Sequence, residues 1–315
     1  MGSILDSLSF SFTVTAPIFI VLFLGLYLKH RNFINDEFID ISSKIMFNIA
    51  LPCLLFFTIV KTPLSEINNI PLIAYGLAST LIIYLSLEWW AKRLEPISDR
   101  GVFVQGSFRG NLGFIGLAYC VNAYGDEGLV AASLYIGFLT AMYNILAVFT
   151  LNRSMSKEFS PQKISKMLIT NPLIMAILLA VLFSSLRIPV PEFAEKAGGY
   201  LGNLALPLAL LCTGGALNFN ELKTNPRKTI YATFCKLILI PLLMILGGFA
   251  IGLRGIDLGV LLFMSSAPTA TASFVMVKAM GGNYKLAANI IALTTLGSLF
   301  TVSVAIVFLR SVHLI

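Results

Sequence analysis

The apolar residues of this sequence fall into ten long runs separated by short polar stretches. A helix needs about 20 apolar residues to cross the hydrocarbon core of a bilayer, and each run has about that length. The pattern therefore predicts ten transmembrane helices, which we number 1 to 10 in chain order. Their predicted bounds are about 9–28, 43–61, 71–91, 101–124, 128–151, 168–187, 197–218, 229–253, 257–281 and 286–310.

Composition agrees with an all-α polytopic membrane protein. Of the 315 residues, 57% are hydrophobic and 12% are charged, whereas soluble proteins have about 25% charged residues. Ten helices of about 21 residues occupy about 210 positions, so no loop is long enough to hold a second domain. The four cysteines all lie in apolar runs and are interpreted as small hydrophobic residues. We predict no metal site and no cofactor, and motifs of zinc proteases, serine hydrolases and phosphate-binding loops do not occur.

The basic residues predict the orientation of the chain in the membrane. The connections after helices 1, 3, 5, 7 and 9 carry 14 Lys and Arg residues, and the other side carries five. Basic residues collect on the cytoplasmic side, so both termini are expected outside the cytoplasm. The expected location is the plasma membrane. The formal charge of +7 is spread over many short loops, which argues against nucleic acid as a partner.

The sequence repeats itself at a fixed offset of 155 residues. Residues 48–55, NIALPCLL, match residues 203–210, NLALPLAL. The same offset pairs three further positions: Thr15 with Thr170, Pro17 with Pro172, and Glu66 with Glu221.

Each half of the chain contains five predicted helices. An odd number forces the second half to enter the membrane upside down, and such inverted repeats are typical of secondary transporters. We therefore expect a first five-helix repeat over 1–151, a cytoplasmic connecting loop over 152–167 and an inverted second repeat over 168–315.

Helices 4 and 9 are predicted to be broken near their middle. Residues 109–116 of helix 4, RGNLGFIG, contain three glycines, and each costs about 1 kcal/mol in a helix. Residues 265–273 of helix 9, SSAPTATAS, contain a proline that cannot donate a backbone hydrogen bond. Gly and Pro also serve as packing devices in membrane helices, but their matching placement favours a functional pair of breaks. Half-helices that restart there direct free N–H groups at the midplane, which suits an anion.

Arg109 is the charged residue that this interpretation singles out. It lies about 12 Å into helix 4, and intramembrane charge indicates function by default. Its role is either to attract or hold an anionic substrate, or to pair with a carbonyl or Glu88. Lys278, near the cytoplasmic end of helix 9, is interpreted as reaching the interface. Lys236 lies about 10 Å into helix 8, and the sequence does not decide whether it has a functional role or reaches the interface.

Two asparagines precede prolines in the repeated segments. Pro52 and Pro207 leave the carbonyls of Asn48 and Asn203 without a helical partner. Each half thus presents an amide and a free carbonyl at one place. Either they brace their own kinks, or they support the substrate site from a second layer.

Carboxylates are nearly absent from the predicted spans. Apart from Glu88, near a helix end, no Asp, Glu or His lies well inside a span, although ion-coupled carriers commonly place such residues there. Tight coupling to sodium or protons is therefore disfavoured, although backbone carbonyls can also hold sodium.

Four motifs together indicate a family. They are the N-x-A-L-P segments of helices 2 and 7, Asn111-x-Gly113-x-x-Gly116, Tyr124-Gly125, and 267–271, APTAT. With these motifs the sequence resembles the auxin efflux carriers. The resemblance covers essentially all ten spans and is to the short bacterial permeases in particular, because the connection after helix 5 is short. The sequence departs from the family at Ala118, where a proline is usual.

The resemblance implies a secondary carrier of organic anions. It further implies that helices 4 and 9 cross at the substrate site, that a scaffold half and a moving transport half exist, and that the protein is a homodimer. We expect the bilayer as its environment and a small organic anion as its substrate. The expected substrate residues are Asn111, Gly113, Pro268, Thr269, Arg109, Asn48 and Asn203. The alternatives are a sodium- or proton-coupled symporter of the same fold, and a membrane sensor or channel that does not transport.

Overall fold

The computed structural model describes residues 4–61, 69–155, 162, 165–166, 169–217 and 226–315. Within these ranges the protein is helical and contains no strand. We label the helices in chain order: α1 Ile4–His30, α2 Asp36–Lys61, α3 Ile70–Ala91, α4 Ile97–Phe108, α5 Leu112–Ser154, α6 Pro172–Ser185, α7 Glu192–Gly215, α8 Pro226–Ala250, α9 Gly255–Ser266, α10 Ala272–Ala279 and α11 Tyr284–Ser311.

Seven helices in the described part of the chain are long and apolar enough to cross a membrane: α1, α2, α3, α5, α7, α8 and α11. α6 and α9 are shorter apolar helices. Predicted helix 4 corresponds to α4 and the first part of α5, as far as Gly125, where φ is 57° and the helix is interrupted. Predicted helix 9 corresponds to α9 and α10. The all-α, multi-pass class predicted from the sequence is confirmed.

Several helices begin earlier than their apolar runs predicted, and α2 and α7 do so with polar first turns. α2 begins at Asp36, although its apolar run begins at about 43, because Asn35 caps a polar first turn and accepts a hydrogen bond from the Phe38 N–H at 2.7 Å. α7 begins at Glu192, although its run begins at about 197, and its first turn is acidic. A hydropathy pattern does not detect such polar turns. Glu66, Glu221 and most of the predicted loop 152–167 lie outside the described residues.

Three prolines inside long helices, Pro52, Pro207 and Pro241, are preceded by deformed turns. A π-helical turn over Met46–Ala50 precedes Pro52, and a second over Cys235–Leu239 precedes Pro241. In α7 the helix is interrupted at Leu204, three residues before Pro207. Because proline cannot donate to the carbonyl four residues earlier, the backbone rearranges in the preceding turn. The kinks expected at the repeated segments are therefore present.

Helices α1, α2, α6 and α7 pack on one another and form one group. α1 and α7 approach closely through two glycines. A Cβ on Gly25 would lie 2.0 Å from the Leu211 carbonyl oxygen, and one on Gly214 would lie 1.8 Å from the Leu22 carbonyl oxygen. Small residues allow this backbone contact between membrane helices.

The remaining helices form a second group around α4, α5 and α9. Its broken spans are anchored by an aspartate in the first turn of each first half. Asp99 of α4 is buried and pairs with Lys228 and with Asn283, whose Nδ2 lies 3.0 Å from its carboxylate. Asp257 of α9 accepts a 2.7 Å hydrogen bond from Asn69. The two broken spans therefore begin alike, each with an aspartate that pairs with residues of another element.

Candidate functional site

The two breaks contact each other through backbone hydrogen bonds. Gly110 and Thr269 form an isolated antiparallel bridge. The Asn111 N–H donates to the Pro268 carbonyl at 2.7 Å, and the Ala270 N–H donates to the Arg109 carbonyl at 3.0 Å. Backbone groups that the helix breaks leave free are thus satisfied by the opposite break, as buried backbone groups require.

Local sequence explains why each span opens here. Ala267 is extended, with φ −56° and ψ 136°, because a residue before proline avoids helical angles. Arg109 is also extended, with φ −81° and ψ 98°, and it is followed by a glycine. The helices resume at Leu112 and Ala272.

Thr269 holds the crossing together. Its side chain is 1% exposed and donates to the Gly106 carbonyl of α4 at 2.6 Å. Its N–H donates to the Thr294 hydroxyl of α11 at 3.1 Å. Thr269, predicted to bind substrate, therefore uses these groups to join α4, the second break and α11, and it is not among the residues that line the adjoining cavity.

A cavity adjoins the crossing. Its interior volume is about 90 Å³, and it opens to the outside through a mouth. It is lined by both breaks together with side chains from α2, α5 and α6. The lining residues are Phe47, Leu51, Arg109, Gly110, Asn111, Leu112, Gly113, Phe114, Thr140, Tyr143, Leu173, Ala270, Thr271 and Ala272.

Hydrogen-bond donors at the start of α5 border this cavity. Asn111 is 6% exposed, and its Nδ2 has no partner among the described residues. The first N–H groups of a helix lack helical acceptors and carry partial positive charge. Those of Leu112 and Gly113 belong to residues that line the cavity. Asn111 and Gly113, both predicted from the sequence, are thus brought together in an arrangement suited to an anion.

Arg109 adds a full positive charge to the same cavity. Its side chain is 7% exposed, and its guanidinium donates to Asn144 Oδ1 and to Met276 Sδ, each at 2.7 Å. Both acceptors are neutral, and Arg109 has no ion pair within the described ranges. Glu88 instead lies near Thr150 and, at 3.6 Å, Arg153. The alternative pairing of Arg109 with Glu88 is therefore wrong.

Asn48 and Asn203 lie apart from these groups. Both side chains are exposed, and neither residue lines the cavity. Asn48 Nδ2 donates to the Lys44 carbonyl at 2.8 Å, which braces its own helix. The neighbouring Phe47 and Leu51 reach the cavity instead. A contribution of the two asparagines to substrate binding stays a prediction.

Sequence reasoning missed the side of the site that the part of α5 after Gly125 provides. Thr140 and Tyr143 line the cavity, and Asn144 holds Arg109. These three residues recur at i, i+3 and i+4, so they share one helical face. A polar stripe in the middle of an apolar span was the available signal.

The apolar helices define a multi-pass membrane protein, with a cavity where its two broken spans cross. Residues 10–306 match the membrane transport protein family. The chain belongs to this family, and the match confirms the resemblance to auxin efflux carriers.

Three relatives resemble the chain over nearly its whole length. An "Uncharacterized transporter" of Methanothermobacter thermautotrophicus is 28% identical, over 91% of this chain and 94% of its own. A "Putative malonate transporter" of Rhizobium meliloti is 26% identical, over 94% of each chain. The "Uncharacterized transporter YfdV" of Escherichia coli is 21% identical, over 90% of this chain and 93% of its own. The family and these names describe transporters, not enzymes.

Proposed function

We propose that the protein is a secondary transporter that moves small organic anions across the plasma membrane by alternating access. The observation that carries the proposal is the cation at the crossing: Arg109 borders the cavity with only neutral partners. A charge inside a membrane span costs about 2.5–3.5 kcal/mol on insertion scales. An anion bound in the cavity offsets that cost.

The substrate class that fits the cavity is a carboxylate. A guanidinium binds a planar carboxylate through two parallel hydrogen bonds, and the Asn111 amide and the first N–H groups of α5 supply further donors. The name of the Rhizobium meliloti relative refers to malonate, a small dicarboxylate. Malonate is therefore a suitable first probe.

We infer ten spans in two inverted repeats, 1–151 and 168–315, joined by the cytoplasmic segment 152–167. The support is the repeated sequence and the matched construction of the two broken spans, each with an aspartate in its first turn. Alternating access would move the second group of helices against α1, α2, α6 and α7. The family resemblance further supports a homodimer, and the basic residues support termini outside the cytoplasm.

Transport is proposed to proceed without tight coupling to sodium or protons. The described residues that line the cavity include no carboxylate and no histidine, the groups on which coupled carriers commonly rely. Removing sodium should leave the rate unchanged. A steep dependence on sodium would favour the symporter instead.

Counterflow tests the proposal directly. Purified protein in proteoliposomes loaded with unlabelled malonate should concentrate external labelled malonate transiently, because exchange through one alternating site is faster than net flux. A panel of mono- and dicarboxylates would define the substrate. A channel or sensor gives no counterflow with any of them.

A further inference from the structure

Lys236 places a second cation at the crossing, outside the lining of the cavity. It lies near the middle of α8, its side chain is 0% exposed, and its Nζ donates to the Ser265 carbonyl at 2.9 Å. A Cβ added to Gly110 would lie 3.1 Å from this Nζ. The ammonium therefore touches the bridge between the two breaks, although Lys236 does not line the cavity.

The Lys236 ammonium lies at the end of α9, where the broken helix exposes carbonyl oxygens. Ser265 is in the last turn of α9. The last carbonyls of a helix lack helical partners and carry partial negative charge. In transporters with broken helices, such helix ends and the adjoining unwound carbonyls coordinate sodium ions or protons. The carbonyl oxygens at the end of α9 are therefore suited to bind a cation.

The Lys236 side chain extends from the deformed turn of α8 that precedes Pro241. Lys236 lies within the π-helical turn Cys235–Leu239, a deviation that occurs often at functional sites. Across the described part of the chain no ion pair to Lys236 is present, so a carboxylate does not explain its burial. The oxygen it contacts is the α9 carbonyl.

We propose that Lys236 is a built-in cation that takes the place of a coupling sodium ion at the end of α9. Its ammonium holds the crossing in the form that binds the anion, so no dissolved cation is needed. The inference rests on the proposed transport function and supplies a physical reason for its independence of sodium.

The test combines three variants with two cations. Lys236→Ser removes the ammonium and leaves space beside the carbonyls, Lys236→Met removes the charge but fills the space, and Lys278→Met is the control, because Lys278 is exposed at the end of α10. Malonate counterflow is measured in choline, sodium and methylammonium buffers. The melting temperature of each purified variant is measured in the same buffers, which gives a readout independent of transport.

In choline, Lys236→Ser and Lys236→Met should lose about tenfold in rate, within the usual range of coupling between two sites. Sodium or methylammonium should restore Lys236→Ser several-fold and raise its melting temperature, because either cation can enter the vacated space. Neither should affect Lys236→Met, Lys278→Met or the native protein.

Three results would overturn the proposal. The first is transport by either Lys236 variant in choline at a rate close to that of Lys278→Met. The second is a Lys236→Ser variant whose rate and melting temperature ignore both cations. If Lys236→Ser does not fold, Lys236→Asn replaces it. The third result is a Lys236→Asn variant whose rate and melting temperature ignore both cations. If the native protein shows no counterflow but sodium still stabilises Lys236→Ser, the cation site stands and the proposed function fails.

Discussion

The two breaks at the centre of the molecule are built from different residues and do different work. The break between α4 and α5 turns its polar groups, Arg109 and Asn111, toward the cavity. The break between α9 and α10 directs the Thr269 side chain and N–H into neighbouring helices. We therefore propose that the first break recognises the solute and that the second, which also lines the cavity, mainly holds the first in place.

The two breaks also differ in the source of their positive charge. Arg109 belongs to the break itself and borders the cavity, whereas Lys236 reaches the end of α9 from α8 and is fully buried. A guanidinium beside a cavity can exchange its neutral partners for a carboxylate. The buried Lys236 ammonium instead donates to the Ser265 carbonyl and does not line the cavity. We therefore propose that Arg109 serves the substrate and that Lys236 serves the crossing.

Apart from Arg109, the largest loss is expected from Asn111→Ala, which removes an unpaired amide from the first break. A hydrogen bond to a charged group contributes about 1.5–3 kcal/mol, equivalent to about 10- to 150-fold in affinity. Malonate affinity and counterflow should fall accordingly, while the melting temperature stays unchanged. Asn122→Ala is the matched control, because it also removes a hydrogen-bonding amide of α5, which donates to the Val14 carbonyl at 3.0 Å, but Asn122 does not line the cavity. Native affinity in Asn111→Ala would place the site elsewhere.

A smaller loss is expected from Pro268→Ala in the scaffolding break. Proline favours the broken conformation by about 0.4–1 kcal/mol, or two- to fivefold, and Thr269 still holds the crossing. The initial rate of malonate counterflow should fall by that amount. Pro172→Ala, at the first residue of α6, should have no effect. A total loss of transport in Pro268→Ala would mean that the second break also recognises the solute.

The smallest effects are expected from Asn48→Ala and Asn203→Ala. Both side chains are exposed and away from the cavity, and surface substitutions usually change free energies by about 0.5 kcal/mol or less. Malonate affinity should change by less than about twofold in each variant. A loss approaching that of Asn111→Ala would show that the asparagines support the substrate after all.

The fold class was predictable because hydropathy and chain breakers act locally. The glycines after Arg109 and the proline at 268 identified both breaks, and the depth of Arg109 indicated its importance. The capped polar start of α2 was not predictable from hydropathy. Neither were the contacts of Arg109 with Asn144 and of Lys236 with Ser265, because these pairs are 35 and 29 residues apart. Such contacts depend on how the helices pack against one another.

The central claim is that Arg109 serves the substrate and not the fold, and Arg109→Gln tests it most directly. The affinity for malonate and the melting temperature are measured on the same purified variant. The account predicts a loss of about 10- to 150-fold in affinity with a native melting temperature, and partial retention of affinity in Arg109→Lys, which keeps the charge but loses the planar fork. A lowered melting temperature with native affinity in Arg109→Gln would contradict it.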